Sequence, residues 1–344
     1  MSTRPFAHPT RRTFVTLVAS TALLAACKTE GSSSGSAPSG GGKSLKIAVI
    51  PKGTTHEFWK SVHAGAVKAS KELGVEIVWK GPLKEDDLQQ QIEVVQSFVA
   101  QGVSGIVLAP LNDKGLVPAV RDAVASKIPV VIFDSDLQGD AFTSFVATDN
   151  QAAGKLAAER LATLLDKKGK VVVLRYQEGS ASTTLREQGF LDAIKAYPDI
   201  QIVSDNQHGG ATTESASAAS ENLLVSLKAA EGGVTGVFCP NESTTFGMLL
   251  ALEKASLAGK IKFIGFDASD KLVSALDAGK IDGLVVQNPF RMGELALTTI
   301  VKHLRGEKVE RRIDTGARVV DKAGMSQPEV KELLKPDLKK WLGE

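Results

Sequence analysis

The sequence predicts an α/β protein of two doubly wound parallel-sheet lobes joined by a three-strand hinge. Short apolar runs alternate with amphipathic segments, the alternation restarts after Asn150, and the connections are short. In the first half, residues 45–50, 75–79, 105–109 and 130–133 are nearly continuous apolar runs, the pattern of strands buried on both faces. Between the first two, Phe58, Val62, Ala66, Ala69 and Leu73 recur at the helical period, as Leu88, Ile92, Val95 and Val99 do between the next two. Gly74 and Gly102 stand where a helix must stop before a strand, and Pro129 opens a strand where a lost ladder bond costs little. The second half repeats the scheme with strands at 170–174, 200–204, 234–238, 262–266 and 283–287. A helix over 289–304 and a mixed tail from Val309 extend neither sheet in an obvious way and are expected to cross between lobes. The domains are then discontinuous: 44–148 with 288–315, and 149–287 with 316–344, the hinge lying near Thr148-Asp149, Gln287-Asn288 and Thr315-Gly316.

The 344 residues are 43% apolar, enough for two cores. Residues 1–26 are set apart: Arg4, Arg11 and Arg12 precede an apolar stretch over 14–26 with no acidic residue, the form of a secretory signal. That stretch is about half the roughly 20 residues a spanning helix needs. It ends in Leu24-Ala25-Ala26-Cys27, similar to a bacterial lipobox, which would make Cys27 the lipidated first residue of an exported lipoprotein; the alternative is an ordinary thiol. Thr10-Arg11-Arg12-Thr13-Phe14-Val15 also resembles a twin-arginine export address. Residues 27–43 are rich in Gly and Ser and read as a tether holding the body off a membrane in the cell envelope. Gly40-Gly41-Gly42-Lys43-Ser44 is not a phosphate loop, because Ala37 stands at its first glycine position and the run precedes a strand.

Charge is balanced at 41 basic against 39 acidic residues, and removing the signal takes away three arginines and no acid, so nothing favours a nucleic-acid partner. A sugar-sensing repressor would need a basic helix-turn-helix domain where this chain has its signal and tether. Cys27 and Cys239 alone exclude a disulfide framework and a zinc site of paired thiolates. No metal or cofactor is expected: Asp134-Ser135-Asp136 opens like a calcium loop, but Phe145 stands where a bidentate glutamate is required. An enzyme is not expected either, since no nucleophile elbow occurs and His8, His56, His63, His208 and His303 are scattered.

Ligands of doubly wound sheets bind beyond the carboxyl ends of the strands, and here those ends are polar. They carry Lys52, His56, Phe58 and Trp59 in the first loop, Asp134-Ser135-Asp136 after residue 133, Tyr176 to Ser180 after residue 174, then Asn241-Glu242, Asp267 and Gln287. Acids, amides, a lysine and aromatic faces suit a neutral polyhydroxylated ligand, whose hydroxyls donate and accept and whose ring has an apolar side. Phe58 or Trp59 could equally be a core anchor, and Lys52 a solvated rim charge.

Across nearly the whole mature chain these segments resemble the sugar-binding proteins of ABC importers of the ribose-binding type, type I periplasmic binding proteins. The resemblance is carried by His56-Glu57-Phe58-Trp59, the run from Pro129 to Asp134, Ala147-Thr148-Asp149-Asn150, Arg186-Glu187-Gln188-Gly189-Phe190, Asn241-Glu242, Gly265-Phe266-Asp267 and Gln287. It implies that Phe58, Trp59, Asp134, Asn241, Asp267 and Gln287 contact sugar. His56 stands where ribose binders carry asparagine, Ser135 and Thr184 fall where they carry arginines, and Arg186 either serves the ligand or caps structure. Pro51-Lys52 and Asp134-Ser135-Asp136 are similar to loops of furanosyl-autoinducer and rhamnose binders, where the lysine and aspartates reach the ligand. The resemblance also implies a monomer that closes on a monosaccharide and hands it to an ABC permease driven by a separate ATPase subunit; the alternative is a sensory protein passing a furanosyl autoinducer to a receptor. On this reading Asp134→Ala or Asp267→Ala abolishes binding and leaves the fold intact.

Overall fold

In the computed structural model the described residues are 44–343. The signal segment 1–26, Cys27 and the tether 27–43 lie outside them.

The chain begins with β1 (Lys46–Ile50), α1 (Glu57–Leu73), β2 (Glu76–Trp79), α2 (Leu88–Gln101), β3 (Gly105–Leu108), α3 (Val117–Ala125), β4 (Val130–Phe133) and β5 (Ser144–Ala147). It continues through α4 (Asn150–Leu164), β6 (Gly169–Val173), α5 (Ala181–Ile194), β7 (Ile200–Ser204), α6 (Thr213–Ser226), β8 (Gly236–Phe238), α7 (Glu242–Lys254), β9 (Lys262–Phe266), α8 (Asp270–Asp277) and β10 (Gly283–Gln287). Last come α9 (Pro289–Leu304), β11 (Arg312–Asp314), β12 (Ala317–Val320), α10 (Pro328–Leu334) and α11 (Leu338–Leu342). Two six-stranded sheets result, in the orders β11-β5-β4-β3-β1-β2 and β12-β10-β9-β8-β6-β7. All pairs are parallel except β10 with β12. The tail therefore does extend the sheets: β11 and β12 each add an edge strand, too short and polar for the apolar pattern to reveal.

Alternation along each strand divides its side chains between two packed layers. Ile47 and Val49 of β1 face α1 and α9, while Ala48 and Ile50 face α2 and α3. In the second sheet Val171 and Val173 face α4 and α5, and Val172 and Leu174 face α6, α7 and α8. α1 and α2 stop at Gly74 and Gly102, both with left-handed backbone (φ 67° and 64°), where glycine carries no Cβ penalty.

The chain passes between sheets three times, after β5, after β10, and between β11 and β12. The first and third crossings are tied together: Thr148 Oγ1 lies 3.4 Å from Thr315 Oγ1 and donates to Gly316 O, and Asp149 N donates to Asp314 Oδ1. A fourth span follows. α10 buries Val330 and Leu334 in the second lobe's core, whereas α11 lies on α1 of the first lobe, with Trp341 near Phe290. Among the described residues no helix is long and apolar enough to cross a membrane.

Each lobe contains one helix pair crossing at glycines from both sides: Gly65 and Gly293 join α1 to α9, and Gly154 and Gly189 join α4 to α5. A methyl on Gly65 would collide with the carbonyl of Phe290. Gly65→Ala is therefore expected to push α1 and α9 apart at about 1–3 kcal/mol. Its melting temperature should fall by several degrees in a calorimetric scan; an unchanged value would show that the helices can separate freely.

Candidate functional site

α1, α5, α7 and α8 all begin at the carboxyl ends of their sheets, so four helix N-termini with unsatisfied N–H groups point into one interlobe cleft. Three of them are capped from the opposite lobe. His56, at the start of α1, makes no side-chain cap; Glu242 of the second lobe instead accepts from Glu57 N (3.3 Å) and Phe58 N (3.1 Å). Reciprocally, Glu57 accepts from Asp270 N of α8 (2.8 Å), and Ser135 Oγ accepts from Ser182 N of α5 (3.1 Å). α7 is capped within its own lobe by Asn241, whose Oδ1 accepts from Thr244 N and Oγ1.

Inside this ring of caps is a cavity of about 30 Å³. The first lobe contributes Lys52, His56, Phe58, Trp59, Glu85 and Asp134; the second contributes Tyr176, Ser182, Thr183, Arg186, Asn241, Glu242, Asp267 and Gln287. Such a volume is on the scale of one or two water molecules, so anything of sugar size enters only when the lobes part.

Glu85 is the densest junction. Its carboxylate takes His56 Nδ1 at 2.7 Å, Trp59 Nε1 at 2.7 Å and, across the cleft, Tyr176 Oη at 2.7 Å, while Gln177 Nε2 donates to its backbone carbonyl. Burial opposes its charge, yet His56, Lys52 and the Trp59 indole hold it at about 2. Burial would likewise lower His56, but Glu85 outweighs it, with help from Glu242 and Asp267, and raises the imidazole to about 9. The pair is thus imidazolium with carboxylate.

Asp134 and Asp267 close β4 and β9, equivalent positions of the two lobes, and both have left-handed backbone (φ 60° and 68°). Aspartate tolerates that conformation better than most side chains, and such strain gathers at functional sites. Asp134 holds Lys52 Nζ at 3.2 Å, and that ammonium also donates to Ser180 Oγ and Ser182 Oγ of the other lobe. At 3% exposure, Lys52 is no rim charge. Asp267 accepts from Gln287 Nε2 (2.7 Å) and Glu242 N (3.0 Å); burial raises its carboxyl, Arg186 opposing. Arg186 donates to Asn150 and to Pro240 O and stacks on Phe266, yet its Nη2 has no partner among the described residues. It both braces the second lobe and keeps one donor for the cavity.

Nine of the sequence candidates line this cavity: Lys52, His56, Phe58, Trp59, Asp134, Arg186, Asn241, Asp267 and Gln287. Three do not. Thr184 is exposed because α5 turns about 100° per residue, so Ser182, Thr183 and Arg186 share the cleft face and Thr184 points the opposite way. Asp136 is drawn to Arg312 of β11 (3.2 Å), and Ser135 is buried behind the wall as the cap of α5. Glu85, Tyr176, Ser182, Thr183 and Glu242 line the cavity without having been singled out; for Tyr176 and Glu242 the signal was the same strand-end position that marked Asp134. Cys239 is buried, which raises its thiol and leaves it inert packing.

The buried acids set a pH dependence. Burial raises Glu242 to about 7, against the pull of His56 and the α1 amides. Burial also raises Glu187 to about 7, against the Tyr176 amide and Arg175. Both hold protons in the folded state that an unfolded chain releases near 4.5, so stability falls as pH rises from about 4.5 to about 7. His56 continues the loss from 6.5 to about 9. Glu85 acts oppositely: its contribution is present above 4.5 and disappears as pH falls toward about 2. The melting temperature is therefore expected to peak near pH 4.5–5, and calorimetry across the range that instead found a maximum in the alkaline region would contradict these assignments.

A periplasmic binding protein domain matches residues 47–308. The ribose import binding protein of Haemophilus influenzae is 28% identical over 80% of this chain and 90% of its own. The D-ribose/D-allose-binding protein of Pseudomonas aeruginosa is 29% identical over 78% and 85%. Among solved structures, a carbohydrate transporter solute-binding protein of Agrobacterium radiobacter in complex with D-arabinose is 35% identical with a TM-score of 0.81, covering 85% of this chain and 99% of that one. A solute-binding protein of Agrobacterium vitis with bound D-fucose is 38% identical with a TM-score of 0.80, covering 84% and 100%. With two α/β lobes, three crossings and a polar interlobe cavity, the chain belongs to the periplasmic binding protein family.

Proposed function

We propose that this protein captures a monosaccharide by closing its two lobes on it, and passes it to an ABC permease driven by a separate ATPase. The observation that carries this reading is the cleft itself: both lobes supply its walls, Phe58 and Trp59 line it among polar side chains, and the lobes already hydrogen-bond across it. Hydroxyls of a sugar can replace those cross-lobe bonds one for one, while an aromatic face covers the ring. A ligand that touches both lobes favours the closed state by its difference in affinity for the two states. The relatives named above, with ribose, allose, arabinose and fucose as their sugars, support this ligand class.

The Leu24-Ala25-Ala26-Cys27 motif supports an exported lipoprotein, held at the membrane by Cys27 through a flexible tether. We keep the domain limits 44–148 with 288–315 and 149–287 with 316–344, with one change: α11 packs on α1 of the amino-terminal lobe. No catalytic role is proposed. Titration calorimetry of the purified protein with pentoses, hexoses and deoxyhexoses tests the reading. Submillimolar binding of at least one is expected; silence from a folded protein across all three classes would overturn it.

A further inference from the structure

A second compartment of about 430 Å³ lies beside the cleft, within the size range of small-molecule sites. Its walls are the start of α1, the ends of β9 and β10, and the segment joining α10 to α11. Phe58, Asp267 and Gln287 line both spaces, so one layer of side chains divides them. Two polar atoms on this wall are buried with no partner among the described residues: Ser61 Oγ (4% exposed) and Gln287 Oε1 (2%). Leaving such groups unsatisfied is costly, and buried polar atoms without partners call for water or a ligand. The facing wall interleaves the apolar Leu333, Leu334, Pro336 and Leu338 with Lys335, Asp337 and Lys339. Its charges are mixed in sign and partly paired, Lys335 standing 3.5 Å from Asp270, which suits a neutral occupant.

We propose that this compartment receives a second ring, neutral, with one apolar face and a hydroxyl, joined through a glycosidic oxygen to the sugar held in the cleft. The protein would then bind glycosides of its sugar as well as the free sugar. The apolar face lies on the tail's leucines and Pro336, and the hydroxyl meets Ser61 and Gln287. This inference rests on the cleft being a sugar site, and it assigns the carboxyl-terminal segment the role of a wall of the binding site.

The test is titration calorimetry with D-fucose and D-arabinose, and with the 4-hydroxyphenyl glycosides of each in both anomers. Wild type would be compared with Ser61→Leu and with Ala268→Phe, which fills the compartment from a half-buried position and guards against misfolding of the first variant. At least one glycoside is expected to bind within about tenfold of its free sugar or more tightly, and both variants to weaken it by about tenfold or more with the free sugar unchanged. Free sugar bound while every glycoside is about a hundredfold weaker would overturn the inference and leave the cleft assignment standing. Equal weakening of sugar and glycoside by the variants would also overturn it. No binding of any of these probes would overturn the inference, and the cleft assignment falls with it only where the hexoses are also silent.

Discussion

Glu85→Ala is expected to part the lobes and lower the melting temperature by on the order of 10 °C. The carboxylate is the common acceptor for His56, Trp59 and Tyr176, all buried or nearly so. Its removal leaves an imidazolium without its counter-charge and two donors without an acceptor, and breaking a buried ion pair by deleting one partner costs about 3–5 kcal/mol. Two of the stranded groups belong to the first lobe and one to the second, so the cheapest relief is for the cleft to open and admit water. Small-angle scattering should therefore show a more extended particle, and affinity for sugar should fall by at least about tenfold because the closed state is less populated. Glu85→Gln keeps an amide oxygen for Trp59 Nε1 while its amide nitrogen can donate to the Tyr176 hydroxyl, so it should lose less stability than Ala. Equal losses in the two variants would mean that the hydrogen bonds to Trp59 and Tyr176 have no part in the effect and that it comes wholly from the lost charge beside His56.

Asp134→Ala should abolish measurable sugar binding and also destabilise the protein, a different outcome from the intact fold that strand-end position alone suggested. Lys52 would lose its direct counter-ion and keep only the hydroxyls of Ser180 and Ser182 as hydrogen-bond partners, with Glu85 as a more distant opposite charge, a loss of up to about 3–5 kcal/mol. Alanine at the left-handed backbone of residue 134 adds roughly 1–2 kcal/mol more. Asp134→Asn separates the contributions: asparagine tolerates that backbone and still offers an oxygen to Lys52, so it recovers the conformational part and not the ionic part. A melting temperature unchanged in Asp134→Ala would show that Lys52 reaches solvent or another carboxylate.

The lobes, their strands and most of the cleft were legible because burial on both sheet faces forces continuous apolar runs, and because polar residues directly after such runs have one place to go. β5 was not legible: four residues between polar turns carry no periodic signal. Glu85 was hidden for another reason. It sits in Lys84-Glu85-Asp86-Asp87, which reads as a solvated charge run, and it is buried only because Tyr176 and Gln177, some 90 positions away, fold over it. Thr184 failed in the opposite sense: it was named because ribose binders carry an arginine at that position, and on α5 the position is turned away from the cleft. What depended on one element alone could be read; what depended on two lobes meeting could not.

The exchange of helix caps across the cleft has a price in signal quality. Glu242 on α1, Glu57 on α8 and Ser135 on α5 hold the shut shape by backbone amides that no ligand need touch. An unloaded protein that shuts spontaneously binds cargo more tightly, because less of the closing free energy must come from the cargo. By the same amount it presents a false report of being loaded to anything that reads only its outline. The three caps thus fix a compromise between sensitivity and false alarms, one that could be reset at Glu57, which does not line the cleft cavity, with the binding chemistry left untouched.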